Sequence, residues 1–217
     1  MTDPTVADEQ KALEILNRLK PLYSNATCPL NYETPLQLLL AVMMAAQCTD
    51  DRVNQVTKEL FKRFPDASAI AQADPEEIES MLRSLSLYRN KAKNIQAASR
   101  ILLEKFNGEV PQSIDELVML PGVARKTATM VLYYAYGINA GVTVDTHVKR
   151  LSERLGLSKQ TDIDKIEKDL IRLLPNSEWG NCFVCLTFHG RSVCSAKKPA
   201  CSRCTIADLC PNAGKNT

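Results

Sequence analysis

Four cysteines near the C-terminus, Cys194, Cys201, Cys204 and Cys210, are spaced C-x6-C-x2-C-x5-C. Thiolate sulfur is a soft ligand, and four thiolates in one short loop suit an iron–sulfur cluster or structural zinc. The spacing alone does not choose between them, and a pair of disulfides is the third option. Cys182-x2-Cys185, followed after fifteen residues by Cys201-x2-Cys204, also fits a zinc-ribbon spacing. That rival leaves Cys194 and Cys210 without a role. It also takes ligands from Cys182 to Phe188, where Phe183, Leu186 and Phe188 predict a buried helix in which cysteine serves as a small hydrophobe. Cys28 and Cys48 are expected to be unligated.

A second segment, Leu120-Pro121-Gly122-Val123-Ala124-Arg125-Lys126-Thr127-Ala128, lies between two helical patterns and has the form of a tight hairpin. Pro121 and Gly122 break the first helix, and the second opens on backbone N–H groups that point outward. Those groups, with the partial positive charge of a helix N-terminus, can hold a phosphate without reading sequence. Pro-Gly between helices is otherwise an ordinary turn. Asp145 precedes the helical pattern of Thr146 to Leu155, where an aspartate ordinarily serves as N-cap.

The elements that must position these groups read as helices nearly throughout. Leu13, Leu16, Leu19 and Leu22 with Ile15 form an apolar stripe at helical spacing. Thr34-Pro35 has the form of an N-cap and first helical residue before the apolar run from Leu36 to Ala46, which predicts a buried helix. Asp74-Pro75-Glu76-Glu77 and Ser113-Ile114-Asp115-Glu116 have capping-box spacing, and Gly108 and Gly190 are expected to stop helices. No sustained period-two alternation occurs, so the fold class is all-α, with disorder only at the tails.

A chain of 217 residues with 45% hydrophobic side chains can bury a core of one large or two small domains. Asp3, Asp8 and Glu9 stand where a secretory signal would be basic and then apolar, and no apolar run is long enough to span a bilayer. These features predict a cytoplasmic protein, nucleoid-associated in a prokaryote, and a reducing setting that favours metal over disulfides. A net charge of +2 provides no global field, so a nucleic-acid partner would have to meet a local basic face.

Taken together, the segments resemble the endonuclease III family of DNA base-excision glycosylases, in the helix-hairpin-helix superfamily. Leu120 to Ala128 resembles the family's hairpin, Val144-Asp145-Thr146-His147 its catalytic aspartate segment, and the four terminal cysteines its [4Fe-4S] loop. Ala46-Gln47-Cys48-Thr49-Asp50, Leu87-Tyr88-Arg89-Asn90-Lys91-Ala92 and His189-Gly190-Arg191 match as well. The resemblance implies two helical domains flanking a DNA-binding cleft. One is a six-helix domain with the hairpin at 28–138, and the other joins 1–27 to 139–217 with the cluster loop. Lys126 and Asp145 would face each other across the cleft.

The resemblance further implies a bifunctional DNA glycosylase and abasic-site lyase acting, as a monomer, on duplex DNA with oxidised pyrimidines such as thymine glycol. Chemistry at the sugar requires the damaged nucleotide to be flipped out and its place filled. Gln47 and Leu87 would fill it, one able to pair with the orphaned base and one apolar. Lys126 would attack C1′ as the free amine, aided by the helix N-terminus, Arg125 and partial desolvation, and form a Schiff base that undergoes β-elimination. Asp145 would stabilise positive charge on the sugar or assist deprotonation. Gly122, Val123, Ala124 and Arg125 of the hairpin, together with His147, Lys197 and Lys198, would contact the DNA backbone. Ala124, Ser86 and Thr129 depart from the family pattern, which commonly has glycine, glycine and asparagine there. The alternatives are a pyrimidine-dimer glycosylase of the same fold, a non-catalytic protein for damage search or redox sensing, and a zinc-bound interaction module.

Overall fold

The computed structural model describes residues 4–215. Met1 to Asp3 and Asn216 to Thr217, which include the ends of both expected tails and Asp3, lie outside the described residues. Among the described residues eleven α-helices follow in order: α1 (Val6–Leu19), α2 (Pro35–Ala45), α3 (Asp50–Arg63), α4 (Ala67–Gln72), α5 (Pro75–Leu82), α6 (Tyr88–Phe106), α7 (Ile114–Leu117), α8 (Arg125–Tyr136), α9 (Thr146–Leu155), α10 (Ile163–Leu173) and α11 (Trp179–Ser192). No strand occurs among the described residues, so the chain is all-α. None of these helices is long and apolar enough to cross a membrane. The chain divides into two compact units, Cys28–Ile138 and a second that joins the residues before Cys28 to those from Asn139 onward.

In the Cys28–Ile138 unit, α2 is the central helix. Thr34 caps it by accepting from the Gln37 N–H at 3.2 Å, Pro35 fills its first position, and every residue from Leu38 to Met44 is buried. It packs against α3, α6 and α8. The unit has seven helices where the resemblance implies six, and the shortest, α7, is a single turn. Two expected capping boxes do not close. Asp74 caps α5 through the Glu76 N–H, but the Glu77 carboxylate turns away to Arg63 at 2.7 Å, an ion pair that competes with the reciprocal bond. Ser113 makes no side-chain cap at all, and α7 ends before a box would repay ordering it. A capping box does form at Thr5 and Asp8 of α1, where Asp8 lies at the third helical position.

In the other unit, α11 is buried along most of its length, and α1 and α9 pack against it. Ala12, Ile15, Leu16 and Leu19 of α1 face inward as the periodicity predicts. Leu22 does not. A 3-10 turn at Lys20–Tyr23 ends the α-helical register, and the Leu22 side chain is exposed. Gly108 follows α6 with φ +82°, as a helix-stopping glycine should.

Gly190 is different. It lies inside α11 and is buried, so it does not stop the helix. A Cβ added there would stand 2.9 Å from His147 Cβ and 3.0 Å from Arg150 Nη2, both on α9. The missing side chain lets α9 and α11 approach closely, and Arg150 Nη2 donates to the Gly190 carbonyl at 2.9 Å across that contact. Gly190→Ala is therefore expected to destabilise the protein by about 1–3 kcal/mol, because the clash with a Cβ on a neighbouring helix outweighs alanine's better helix propensity. A lower thermal midpoint by circular dichroism checks this, and an unchanged or higher midpoint would show that the helices can separate without cost.

Candidate active site and nucleic-acid interface

The hairpin hangs on two buried residues, Leu120 and Val123, whose backbones close the turn through a Val123 N–H to Leu120 carbonyl bond of 3.0 Å. Gly122 between them has φ +80°, and a Cβ there would come within 2.7 Å of Asn94 Nδ2. Both conformation and space require glycine at this position. Ala124 opens α8 with an extended backbone (φ −88°), so the alanine at this departure from the family pattern is unstrained. No side chain caps α8, and its first turn holds no acid. Its leading N–H groups and positive dipole end are thus not neutralised from within the helix. Arg125 and Lys126 follow immediately and are exposed. The partial desolvation expected around Lys126 is therefore not provided by the free protein, because the side chain extends from the first turn into water. Thr129 is buried and donates to the Arg125 carbonyl at 3.0 Å, so its hydroxyl is satisfied within the helix.

Gln47 and Leu87 occupy two neighbouring loops of the same unit. Both are exposed, and both have left-handed backbones (φ 57° and 55°). Among the described residues only Asn107, a helix C-cap, is the other non-glycine residue with positive φ. Each such position costs about 1 kcal/mol or more, so the surrounding structure must hold it there. Ser86 Oγ donates to the Gln47 carbonyl at 2.8 Å and lies 3.3 Å from Cys48 Sγ. Lys91 is buried and donates to the Ala46 carbonyl at 2.7 Å and to Cys48 Sγ at 3.1 Å. Partial burial works to raise the Cys48 thiol pKa, but the bonds from Ser86 and Lys91 bring it below its ordinary value. Neither Lys91 nor Ser86 carries a local sequence signal for this role, since their acceptors lie on a loop distant in sequence.

Asp145, His147, Lys197, Lys198 and the four terminal cysteines belong to the other unit, whereas the hairpin, Lys126, Gln47 and Leu87 belong to Cys28–Ile138. Asp145 is half-buried and caps α9: Oδ1 accepts from the N–H groups of His147 and Val148, both at 2.8 Å. Oδ2 has a single longer contact, from the Thr187 hydroxyl at 3.3 Å, and so keeps accepting capacity for a substrate or water. The cap engages Oδ1 alone. His147 Nδ1 lies 3.1 Å from Arg150 Nη2. A guanidinium can only donate, so Nδ1 accepts and the ring proton sits on Nε2.

All four terminal cysteines line one cavity, with Leu151, Leu155 and Ile206 among the other walls. Two arginines one helical turn apart on α9 reach this loop. Arg150 donates to the Cys194 carbonyl at 3.0 Å, while Arg154 donates to Cys194 Sγ at 3.2 Å, the Ser195 carbonyl at 2.8 Å and the Ala196 carbonyl at 2.8 Å. Burial pushes the His189 pKa down to about 4, so its ring is neutral at physiological pH. It can accept from the Tyr23 hydroxyl at Nδ1 (2.9 Å) and donate from Nε2 to Cys204 Sγ (3.4 Å). An all-sulfur donor set with N–H donors aimed at two of its sulfurs fits an iron–sulfur centre. The i, i+4 spacing of Arg150 and Arg154 was the available sequence signal for this support.

The zinc-ribbon pairing is overturned. Cys182 and Cys185 are buried in α11 and do not line the cavity. Burial drives the Cys182 thiol far above its ordinary range and the Cys185 thiol up to about 11, so both behave as apolar thiols. Phe188, expected to be buried beside them, is only half-buried. Lys197 and Lys198 are exposed on the cysteine loop, where Ser195 Oγ fixes the backbone by donating to the Lys198 carbonyl at 2.7 Å.

The HhH-GPD superfamily base excision DNA repair protein pattern matches residues 40–176. Endonuclease III of Synechocystis sp. is 58% identical over 94% of both chains. That of Bacillus subtilis is 42% identical over 90% of this chain and 89% of its own. Among solved structures, a trapped endonuclease III–DNA covalent intermediate is 41% identical, with a TM-score of 0.88 over 95% of this chain and 97% of that one. A helical chain with this hairpin, this capped aspartate and this likeness to such relatives over nearly its whole length belongs to the endonuclease III family of base excision DNA repair enzymes.

Proposed function

We propose that this DNA glycosylase and abasic-site lyase acts on oxidised pyrimidines in duplex DNA, with Lys126 as its nucleophile. The observation that carries the reading is the position of Lys126. It is exposed at the second residue of a helix whose leading N–H groups no side chain caps, directly after the tight turn closed by Val123 and Leu120. A phosphate held by those groups leaves the adjoining sugar within reach of the lysine. The covalent intermediate formed with DNA by the 41% identical relative supports the same chemistry.

The free amine of Lys126 attacks C1′, the damaged base leaves with the bonding pair, and the sugar ring opens to a Schiff base. Loss of a C2′ proton sends electrons into the iminium and expels the 3′ phosphate, which cuts the strand on that side. Water then releases the lysine. Because Lys126 is exposed in the free protein, DNA itself must exclude water from the amine. Asp145 Oδ2 offers negative charge to the sugar as it becomes cationic, while Oδ1 keeps the carboxylate fixed on α9. Gln47 and Leu87 occupy the space left by the flipped nucleotide, and Lys197, Lys198 and the Nε2–H of His147 take phosphates. Cys194, Cys201, Cys204 and Cys210 would hold a [4Fe-4S] cluster, which fixes the loop that presents the two lysines. Among the described residues no group of three or more His, Cys, Asp or Glu side chains is arranged to hold a single metal ion. Four soft thiolate sulfurs round a common cavity suit an iron–sulfur centre. All the groups named lie on one chain, which supports action as a monomer.

Borohydride added to the protein and a duplex bearing one thymine glycol should give a covalent protein–DNA band that Lys126→Ala abolishes. A band that persists in the variant would overturn the assignment of the nucleophile, and a band on abasic but not thymine glycol duplexes would overturn the base class. Asp145→Asn keeps the cap, since asparagine also accepts from helix N–H groups, but should slow base release by about 10²–10⁴-fold. An equal loss of stability and rate would instead assign Asp145 to capping alone. Freshly purified protein should be yellow-brown with about four irons per chain, and Cys204→Ser should lose both iron and colour. A colourless protein with zinc would sink the cluster assignment.

A further inference from the structure

Lys91 presents a buried ammonium whose acceptors are a carbonyl oxygen and a sulfur, with neither supplied by an acid. The carbonyl belongs to Ala46, the C-cap of α2, so the charge sits at the negative end of that helix dipole, which offsets part of its desolvation. The same residue belongs to the first turn of α6, where its backbone N–H donates to the Leu87 carbonyl at 3.1 Å. One residue therefore holds both loops, with its main chain on Leu87 and its side chain on the residues either side of Gln47. Ser86 adds a second link by donating from the Leu87 loop to the Gln47 carbonyl at 2.8 Å.

We propose that Lys91, assisted by Ser86, is a positioning residue that locks the Gln47 and Leu87 loops into one rigid wedge before DNA is met. The inference rests on the reading that Gln47 and Leu87 fill the space of a flipped nucleotide. Two strained left-handed residues on separate loops would otherwise relax independently, and each insertion would carry its own ordering cost. Joined through Lys91, they enter the duplex as one body. The tether touches neither the hairpin nor the groups that hold phosphate, so it contributes to discrimination of lesion sites and not to general affinity for DNA.

The test compares affinity for a duplex bearing a tetrahydrofuran abasic analogue with affinity for the same duplex undamaged. It also follows the fluorescence of 2-aminopurine opposite the analogue as a reporter of insertion. Lys91→Met keeps the apolar stem and removes the donors. It should lower the lesion-to-undamaged affinity ratio about tenfold, the scale of one lost charged hydrogen bond, and weaken the 2-aminopurine response while affinity for undamaged duplex holds. Ser86→Gly should lower the ratio about threefold, as one neutral hydrogen bond would. Leu102→Ala, a cavity in the buried far part of α6, should reduce thermal stability and leave the ratio unchanged. If Lys91→Met fails to fold, Ser86→Gly decides alone. Parent-like ratios in Lys91→Met and Ser86→Gly, with losses in Gln47→Ala and Leu87→Ala, overturn the tether and leave the insertion reading standing. Parent-like ratios in all four variants overturn both.

Discussion

The close crossing of α9 and α11 at Gly190 is the contact on which the described chemistry of its unit depends. With no Cβ at position 190, the first turns of α9 lie near enough for Arg150 to bond the Gly190 carbonyl. That approach also brings Thr187 to Asp145 and aims Arg154 at the cysteine loop. Carboxylate, imidazole and sulfur-rich loop are thus held by one helix pair, so a small change in interhelical distance reaches all of them. Packed interiors transmit such displacements because they have little free volume to absorb them.

Two helix N-termini show how backbone electrostatics can be put to opposite uses. At α9 the dipole and the first N–H groups are occupied by Asp145, which is thereby fixed on a rigid element. At α8 no side chain takes that place, and Gly122 keeps the turn tight by avoiding Asn94. A helix left open in this way lacks the stabilisation a side-chain cap would give, as α6, α7 and α11 also do, and its leading N–H groups can donate to an external anion.

Much of this was legible in the sequence, for identifiable reasons. Thr34-Pro35 and the apolar run behind it specify α2 through local chemistry, and the cysteine spacing specifies a common cavity through the shortness of the loop. What escaped depends on partners distant in sequence. Glu77 leaves its expected capping box because Arg63, on another helix, competes for its carboxylate. Gly190 reads as a helix stop until its neighbour on α9 is seen. Leu22 is a local exception, which reads as core until the 3-10 turn containing it rotates it outward. Lys91 gives no local signal, since its acceptors lie more than forty residues earlier in the chain.

The division of the chain into a continuous unit and a split one has a consequence for assembly. Cys28–Ile138 is continuous in sequence and its helices pack mainly on one another, so it can condense while synthesis continues. Helix α1 must instead wait for α10 and α11, across a loop of more than a hundred residues whose closure carries an entropic cost. The cysteine loop follows α11, so it is added to a framework in which the partners of α1 are already present. Closure of the split unit and gathering of the sulfurs are therefore late steps, so a chain arrested before them would carry the segment with Lys126 without the completed unit that holds Asp145.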